Sequence, residues 1–271
     1  MLEDMGKQAK AAARILAVAG TDQKNQALAA VAAALRAHTE EILAANREDL
    51  ENGRQSGLGE ALLDRLALSE ARIAGMADGM LEVAALPDPI GVIESGSTRP
   101  NGMQVLKVRV PLGVIGIIFE ARPNVTADAA ALCLKSGNAV ILRGGKEAIH
   151  SNRAIAAVMR RAVESTGLPA DCIQLVEDTS RASATALMRL NGYLDVLIPR
   201  GGAGLIKATV ENATVPVIET GTGNCHAFVD ASADLAMAAE IVYNAKTSRP
   251  SVCNALETLL VHKDVAEAFR L

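Results

Sequence analysis

The first 86 residues place apolar side chains at helical spacing. Leu28, Val31 and Leu35 fall on one stripe and Ile73, Met76 and Met80 on another, so residues from about 4 to 86 predict a series of helices. Thr21 or Asp22 is placed to cap the second of them. The charged stretch Arg47, Glu48, Asp49 and Glu51 predicts a solvated face, and 53–59, rich in Gly and Ser, predicts a loop. Pro87 and Pro89 end the helical pattern. Strand-like runs at 92–94 and 105–110 then flank Pro100-Asn101-Gly102, a turn signal that predicts a long β-hairpin within 88–111. Such a hairpin is either an arm that pairs with another subunit or an ordinary edge hairpin, and the pattern leaves both readings open.

From Gly113 the period changes again. Short, mostly apolar runs at 114–118, 139–142, 173–176, 194–198 and 215–218 alternate with helical stretches at 126–135, 147–165, 180–190 and near 204–210. Strands without polar alternation need cover on both faces, so this part predicts an α/β fold built on a doubly wound, Rossmann-like parallel sheet. Beyond Glu219, a strand at 227–229, a helix at 233–246, a strand at 258–261 and the start of a helix at 265–271 predict a second α/β unit.

Composition narrows the function. Half of the 271 residues are apolar, enough for a sizeable core, while aromatics make up 2% and Trp is absent, which argues against base-stacking surfaces. The net charge is −4 and no long Lys/Arg block occurs, so nucleic acid and anionic membranes are not expected partners. The acidic start and the early Lys7, Lys10 and Arg14 do not read as a signal peptide, and no segment has the apolar length of a membrane span. Four widely spaced cysteines, Cys133, Cys172, Cys225 and Cys253, indicate neither a zinc site nor a disulfide framework, and a reducing cytoplasm fits them best.

Candidate chemistry concentrates at strand ends. Ligands of open parallel sheets bind at the carboxyl ends of the strands. Four turns stand there: Phe119-Glu120-Ala121-Arg122-Pro123-Asn124, Arg143-Gly144-Gly145-Lys146-Glu147, Pro199-Arg200-Gly201-Gly202-Ala203-Gly204, and the turn that opens at Glu219. The Gly201 turn opens a helix, where free N–H groups suit a phosphate, although it is not the G-x-G-x-x-G pattern. Gly145-Lys146 lacks the Ser or Thr of a P-loop, since Glu147 follows. Arg143 and Lys146 either bind phosphate or solvate a helix start. Cys253, near Lys246 and Arg249, is the candidate nucleophile, because neighbouring cations favour a thiolate. Cys133 and Cys172 sit among apolar neighbours and read as core. His38, His150 and His262 read as surface residues, and a metal is not expected. A hydrolase pairing Cys253 with His226 or His262 is a competing reading.

Four runs carry a resemblance. They are Ser248-Arg249-Pro250-Ser251-Val252-Cys253-Asn254, Glu219-Thr220-Gly221-Thr222-Gly223-Asn224-Cys225-His226, Phe119-Glu120-Ala121-Arg122-Pro123-Asn124 and Leu142-Arg143-Gly144-Gly145-Lys146-Glu147. In sequence, order and spacing the chain resembles the aldehyde dehydrogenase superfamily, with Pro250 and Arg143-Gly144 in place of the more usual Gly and Lys-Pro, as in an acyl-phosphate reductase branch. The resemblance implies a cofactor-binding domain over 1–225, with an oligomerisation-type hairpin at 88–111, and the beginning of a catalytic domain over 226–271. It implies reduction of L-glutamyl 5-phosphate by NADPH to glutamate 5-semialdehyde through a thioacyl intermediate on Cys253, in proline biosynthesis. Asn124 would then supply the oxyanion hole and Glu219 a cofactor-positioning or proton-handling role. Arg143, Lys146, Gly201, Gly202 and Gly221 would hold the cofactor, with two cations favouring NADPH over NADH. Arg122 and Arg249 would hold the substrate's phosphate or carboxylate. The implied partners are the small-molecule substrate, a further copy of the chain and the upstream glutamate kinase. The family is longer than 271 residues, so a nucleotide-binding or association module without turnover is the alternative expectation for this chain.

Overall fold

Helices occupy the first 85 residues: α1 (Leu2–Leu16), α2 (Thr21–Ala37), α3 (Thr39–Gln55), α4 (Glu60–Leu66) and α5 (Glu70–Ala85). The structure is a computed structural model that describes residues 1–221, 223–250 and 252–269, and the chain divides into two units, Met1–Glu219 and Thr220–Leu271. The stripes drawn from sequence are the buried ones, since Leu28, Val31, Leu35, Ile73, Met76 and Met80 all enter the core of the first unit.

Three local expectations for this region need correction. Neither Thr21 nor Asp22 caps α2; Gly20 stands at the cap, and the Thr21 hydroxyl instead donates to Asp88 Oδ2 at 2.7 Å. The loop expected at 53–59 starts later, because α3 runs to Gln55 and the bare Gly53 lets Leu58 and Leu63 pack against the helix. Asp49 is not on a solvated face. It is 1% exposed and continues the buried stripe of Ile42, Asn46 and Gly53.

The predicted hairpin forms from β1 (Ile93–Thr98) and β2 (Gln104–Val108), antiparallel, with a bulge between Ile93 and Ser95. Its turn closes through Gly102 N–H to the Arg99 carbonyl, and both strands are exposed on both faces. At its base lies a buried ion pair: Lys24, on α2, reaches Asp88 Oδ2 at 2.6 Å. Burial of Asp88 works to raise its carboxyl, but the bonds from Lys24, the Ile90 N–H and Thr21 outweigh it and hold the group below the ordinary carboxylate range.

The sheet of the first unit is parallel, in the order β5-β4-β3-β6, from β3 (Val114–Phe119), β4 (Ala139–Arg143), β5 (Ile173–Leu175) and β6 (Val196–Arg200). Between them run α6 (Asn124–Lys135), α7 (Ile149–Glu164) and α8 (Arg181–Met188), and α9 (Ala203–Asn212) follows β6. β3 is buried at every residue, which fits a strand covered on both faces. Gln174, out of phase with Ile173 and Leu175, donates to the Met5 carbonyl and so marks the face on which α1 lies. The strand expected at 215–218 is reduced to one parallel bridge, Leu197 to Val217. Pro216 has no N–H to extend a ladder, though its carbonyl accepts from Leu197 N at 2.8 Å.

The second unit pairs β7 (His226–Val229) in parallel with β8 (Thr258–Val261) across α10 (Leu235–Thr247), which Asp234 caps through the N–H groups of Ala236 and Met237. Val229, Val242, Leu256 and Phe269 form its small core. Of the helix expected at 265–271, the described residues 265–269 form hydrogen-bonded turns, with Val265 N–H bonding the His262 carbonyl and Phe269 N–H the Val265 carbonyl. Residues 270 and 271 lie outside the described residues, as do Thr222 and Ser251 of the quoted motifs. Within the second unit the Cys225 carbonyl accepts from the N–H groups of Glu257 and Thr258. Among the described residues no helix is long and apolar enough to cross a membrane.

Candidate active site

Parallel pairing brings three of the four predicted turns to one edge. β3 aligns Ile118 with Arg143 of β4 and Phe119 with Arg200 of β6, so the turns after these strands leave the sheet side by side. They also touch. A Cβ on Gly201 would stand 2.7 Å from Glu120 Cδ and would push that side chain aside, and one on Gly144 would stand 2.2 Å from Nδ2 of the buried Asn152, so the Gly144 position needs a residue without a side chain. The Gly202 N–H, at the cap of α9, donates to Glu120 Oε2 at 3.0 Å. Gly201 and Gly202 are exposed, as is Lys146, the first residue of the short 3₁₀ turn Lys146–Ala148.

Arg143 is half-buried. Its Nη2 donates to the carbonyls of Thr179 and Ser180 at 2.7 and 3.0 Å, tying β4 to the turn before α8. Its Nε is buried with no partner. Burial lowers the guanidinium from its ordinary value, while the charges of Asp178 and Glu147 act against that shift. Arg143 therefore already has a structural task, and Lys146 is the more accessible cation of the pair.

Asn124 opens α6, and its Nδ2 donates to Asp128 Oδ2 at 3.0 Å. One bond uses one amide hydrogen and leaves the other for a ligand. Arg122 and Asn124 are exposed at the same turn, and Glu219 is exposed at the end of the first unit.

In the second unit, Cys253 is exposed on the turn between α10 and β8, and Arg249 and Gly221 are exposed as well. Lys246 donates to the Leu256 carbonyl at 2.9 Å. The Cys225 thiol donates to the Cys253 carbonyl at 3.4 Å, a contact the sequence reading did not foresee, because the two lie 28 positions apart. Neither imidazole of the hydrolase reading bonds the Cys253 thiol: His226 Nδ1 meets the Asn224 carbonyl at 2.9 Å, and His262 Nδ1 accepts from the Asp264 N–H at 3.3 Å. Cys133 and Cys172 are buried, and burial pushes both thiols up to about 12, which leaves them inert.

Two further residues shape the site, Glu120 within the first motif and Asp49 outside all four. Glu120 spans from the β3 turn to the start of α9. Asp49 accepts from the N–H groups of His150 and Ser151 at 3.1 and 2.7 Å and from the Ser151 hydroxyl, so it caps α7 immediately after the Lys146 turn. The signal for Asp49 was present in the sequence: Ile42, Asn46, Asp49 and Gly53 keep helical spacing, and Asp49 belongs to that buried stripe rather than to its charged neighbours.

The chain matches the model of the aldehyde dehydrogenase family over residues 2–271. It belongs to the aldehyde dehydrogenase family. Within the family it is similar to the gamma-glutamyl phosphate reductase of Moorella thermoacetica, 63% identical over 268 residues, which are 99% of this chain and 64% of that one. It is 62% identical over 261 residues to the gamma-glutamyl phosphate reductase of Clostridium novyi, covering 96% of this chain and 63% of the other. The crystal structure of the Thermotoga maritima gamma-glutamyl phosphate reductase superposes with a TM-score of 0.91 at 46% identity, over 99% of this chain and 65% of that one. The yeast enzyme of the same name, from Saccharomyces cerevisiae, superposes at 0.74 with 32% identity, over 98% and 66%. The chain thus spans about 64% of the length of the curated relatives it matches. In this aldehyde dehydrogenase-type fold, the Arg143, Gly201 and Asn124 turns occupy the strand ends where an α/β sheet takes its ligand.

Proposed function

We propose that the protein, at the length of its relatives, reduces L-glutamyl 5-phosphate with NADPH to glutamate 5-semialdehyde and phosphate, a step of proline biosynthesis. The observation that carries this reading is the 63% identity to a gamma-glutamyl phosphate reductase across 99% of the chain, a span that includes every candidate site residue.

The chain's own groups suit the dinucleotide. Gly201 and Gly202 leave the start of α9 open for a backbone approach, the Gly202 N–H already binds a carboxylate oxygen, and Lys146 is exposed beside them on the neighbouring turn. Arg143 shapes that turn and adds positive charge, and Gly221 leaves space on the second unit. Two cations at the ribose end fit a 2′-phosphate and so NADPH over NADH. When bound, NADPH supplies the hydride.

In this mechanism Cys253 Sγ attacks the acyl carbon of the substrate. A C–S bond forms, the C–O bond to phosphate breaks, and phosphate leaves. The free amide hydrogen of Asn124 and the Cys253 backbone N–H donate to the carbonyl oxygen as it gains charge. Asp128 keeps the Asn124 amide turned for that task. After reduction of the thioester carbon, the C–S bond breaks, the aldehyde leaves and the thiolate is restored. Arg122 and Arg249 bind the phosphate or the carboxylate of the substrate. Glu219 positions the cofactor or handles a proton, since activating water would divert the thioester to hydrolysis.

The test uses the chain extended to the length of its relatives. NADP reduction that requires both glutamate 5-semialdehyde and phosphate supports the proposal, as does a Cys253→Ala variant that binds NADPH without turnover. Turnover retained by Cys253→Ala overturns the thiol mechanism. NADPH binding without any turnover in the unmutated protein favours the non-catalytic module.

A further inference from the structure

Two of the four cysteines are accessible, and the fold places them against each other. Cys253 is exposed and Cys225 half-exposed, whereas Cys133 and Cys172 are buried in the first unit. The Cys225 thiol lies 3.4 Å from the Cys253 carbonyl oxygen, and a Cβ on Gly223 would stand 3.5 Å from that same oxygen. The backbone around the pair is aligned from the other side too: the Cys225 carbonyl accepts from Glu257 N at 3.0 Å and Thr258 N at 3.1 Å, where the chain returns from Cys253 into β8. Both cysteines lie outside helix and strand, Cys225 just before β7 and Cys253 in a turn, so closing the remaining gap between sulfurs breaks no ladder.

We propose that Cys225 is a resolving thiol for Cys253, making a reversible redox switch that protects the nucleophile from over-oxidation. The oxidant is a hydroperoxide. The Cys253 thiolate attacks its outer oxygen, an S–O bond forms, the O–O bond breaks, and the departing alkoxide takes a proton and leaves as an alcohol, or as water when the oxidant is hydrogen peroxide. Sulfur loses two electrons and the peroxide gains them. The Cys225 thiolate then attacks the Cys253 sulfur; an S–S bond forms, the S–O bond breaks, and hydroxide leaves as water after taking up a proton. Two thiols and one hydroperoxide yield one disulfide, one alcohol and one water. Without a resolving thiol, a sulfenic acid exposed to more peroxide proceeds to sulfinic acid, which thiol reductants do not reverse. The inference rests on the contact between the two cysteines and not on the reductase chemistry.

The experiment treats the 271-residue chain with hydrogen peroxide, alkylates the remaining thiols under denaturing conditions, and maps cysteine peptides by mass spectrometry before and after dithiothreitol. The expected result is a linked Cys225–Cys253 peptide, Cys133 and Cys172 recovered as alkylated thiols, and full recovery of all four thiols on reduction. In Cys225→Ser and Cys225→Ala, Cys253 is expected to gain two oxygens that dithiothreitol does not remove. Circular dichroism of both variants establishes that they are folded before oxidation. Sulfinic acid on Cys253 of the unmutated chain at the same peroxide dose as in the variants, or a disulfide that joins other cysteines, overturns the proposal.

Discussion

At the scale of single residues, the proposed chemistry rests on groups that are exposed and lightly tethered. Asn124 is held by one hydrogen bond, to Asp128, so its amide is oriented and keeps one hydrogen, which the proposed mechanism gives to the oxyanion. Asn124→Ala in the full-length enzyme is expected to lower kcat by about 100- to 1,000-fold with an intact fold, measured by steady-state kinetics and thermal melting. Lys146 is exposed, while Arg143 spends Nη2 on the carbonyls of Thr179 and Ser180. Lys146→Ala should therefore weaken NADPH binding by roughly 10- to 100-fold, the loss of one charge-assisted contact, with little change for NADH. Calorimetric titration with the two cofactors checks it, and equal loss for both removes Lys146 from the 2′-phosphate. Arg143→Ala should instead lower stability as well as affinity, because it frees the turn before α8.

At the scale of elements, two carboxylates, the buried Asp49 and the partly buried Asp88, join the helical layer to the rest of the first unit. Asp88 anchors the base of the hairpin to Lys24, which is 1% exposed. Its folded value lies below the ordinary one, so the ionised group contributes stability that is complete above its unfolded value, near about pH 4, and is lost as pH falls through the folded value. Asp88→Asn leaves the Lys24 ammonium buried and uncompensated, and is expected to cost roughly 3–5 kcal/mol near neutral pH and to flatten the acid limb of the stability profile. Urea denaturation across the acid range reads both effects. Much of this architecture was legible in the sequence, because apolar periodicity is what drives burial: the stripes on α2 and α5, the Asn101-Gly102 turn and four of the five apolar runs between 114 and 218 reappear in the fold. What escaped was set by tertiary partners. Asp49 looked like one more surface charge until α7 supplied its N–H groups, and Thr21 looked like a cap until Asp88 drew its hydroxyl away. The 215–218 run is apolar enough for a strand, yet Pro216 limits it to a bridge. The candidate site was legible as motifs, but the meeting of Cys225 with Cys253 depends on how β7 and β8 pair, which spacing alone does not encode.

At the scale of the whole molecule, the hairpin keeps apolar side chains at the surface. Ile93, Met103, Leu106 and Val110 are all more than half exposed on and around a hairpin with no covered face. We propose that this hairpin is an arm that pairs with another copy of the chain rather than an ordinary edge hairpin. Leu106→Lys combined with Val110→Lys is expected to lower the oligomeric state in sedimentation while leaving monomer stability within about 0.5 kcal/mol, as for other exposed positions; an unchanged assembly removes the hairpin from the interface. Another long-range feature bears on how the chain comes to be folded during synthesis. Lys10, on the first helix, bonds both oxygens of Asp195 at 2.7 Å, and Asp195 also accepts from the Val114 N–H at 2.7 Å. A side chain of α1 thus takes its charge partner from a residue 185 positions later in the chain, just ahead of the strand that pairs with β3. Until Asp195 is made, the Lys10 ammonium lacks this partner, and α1 is held by its apolar face on β4 and by the bond from Gln174 to the Met5 carbonyl.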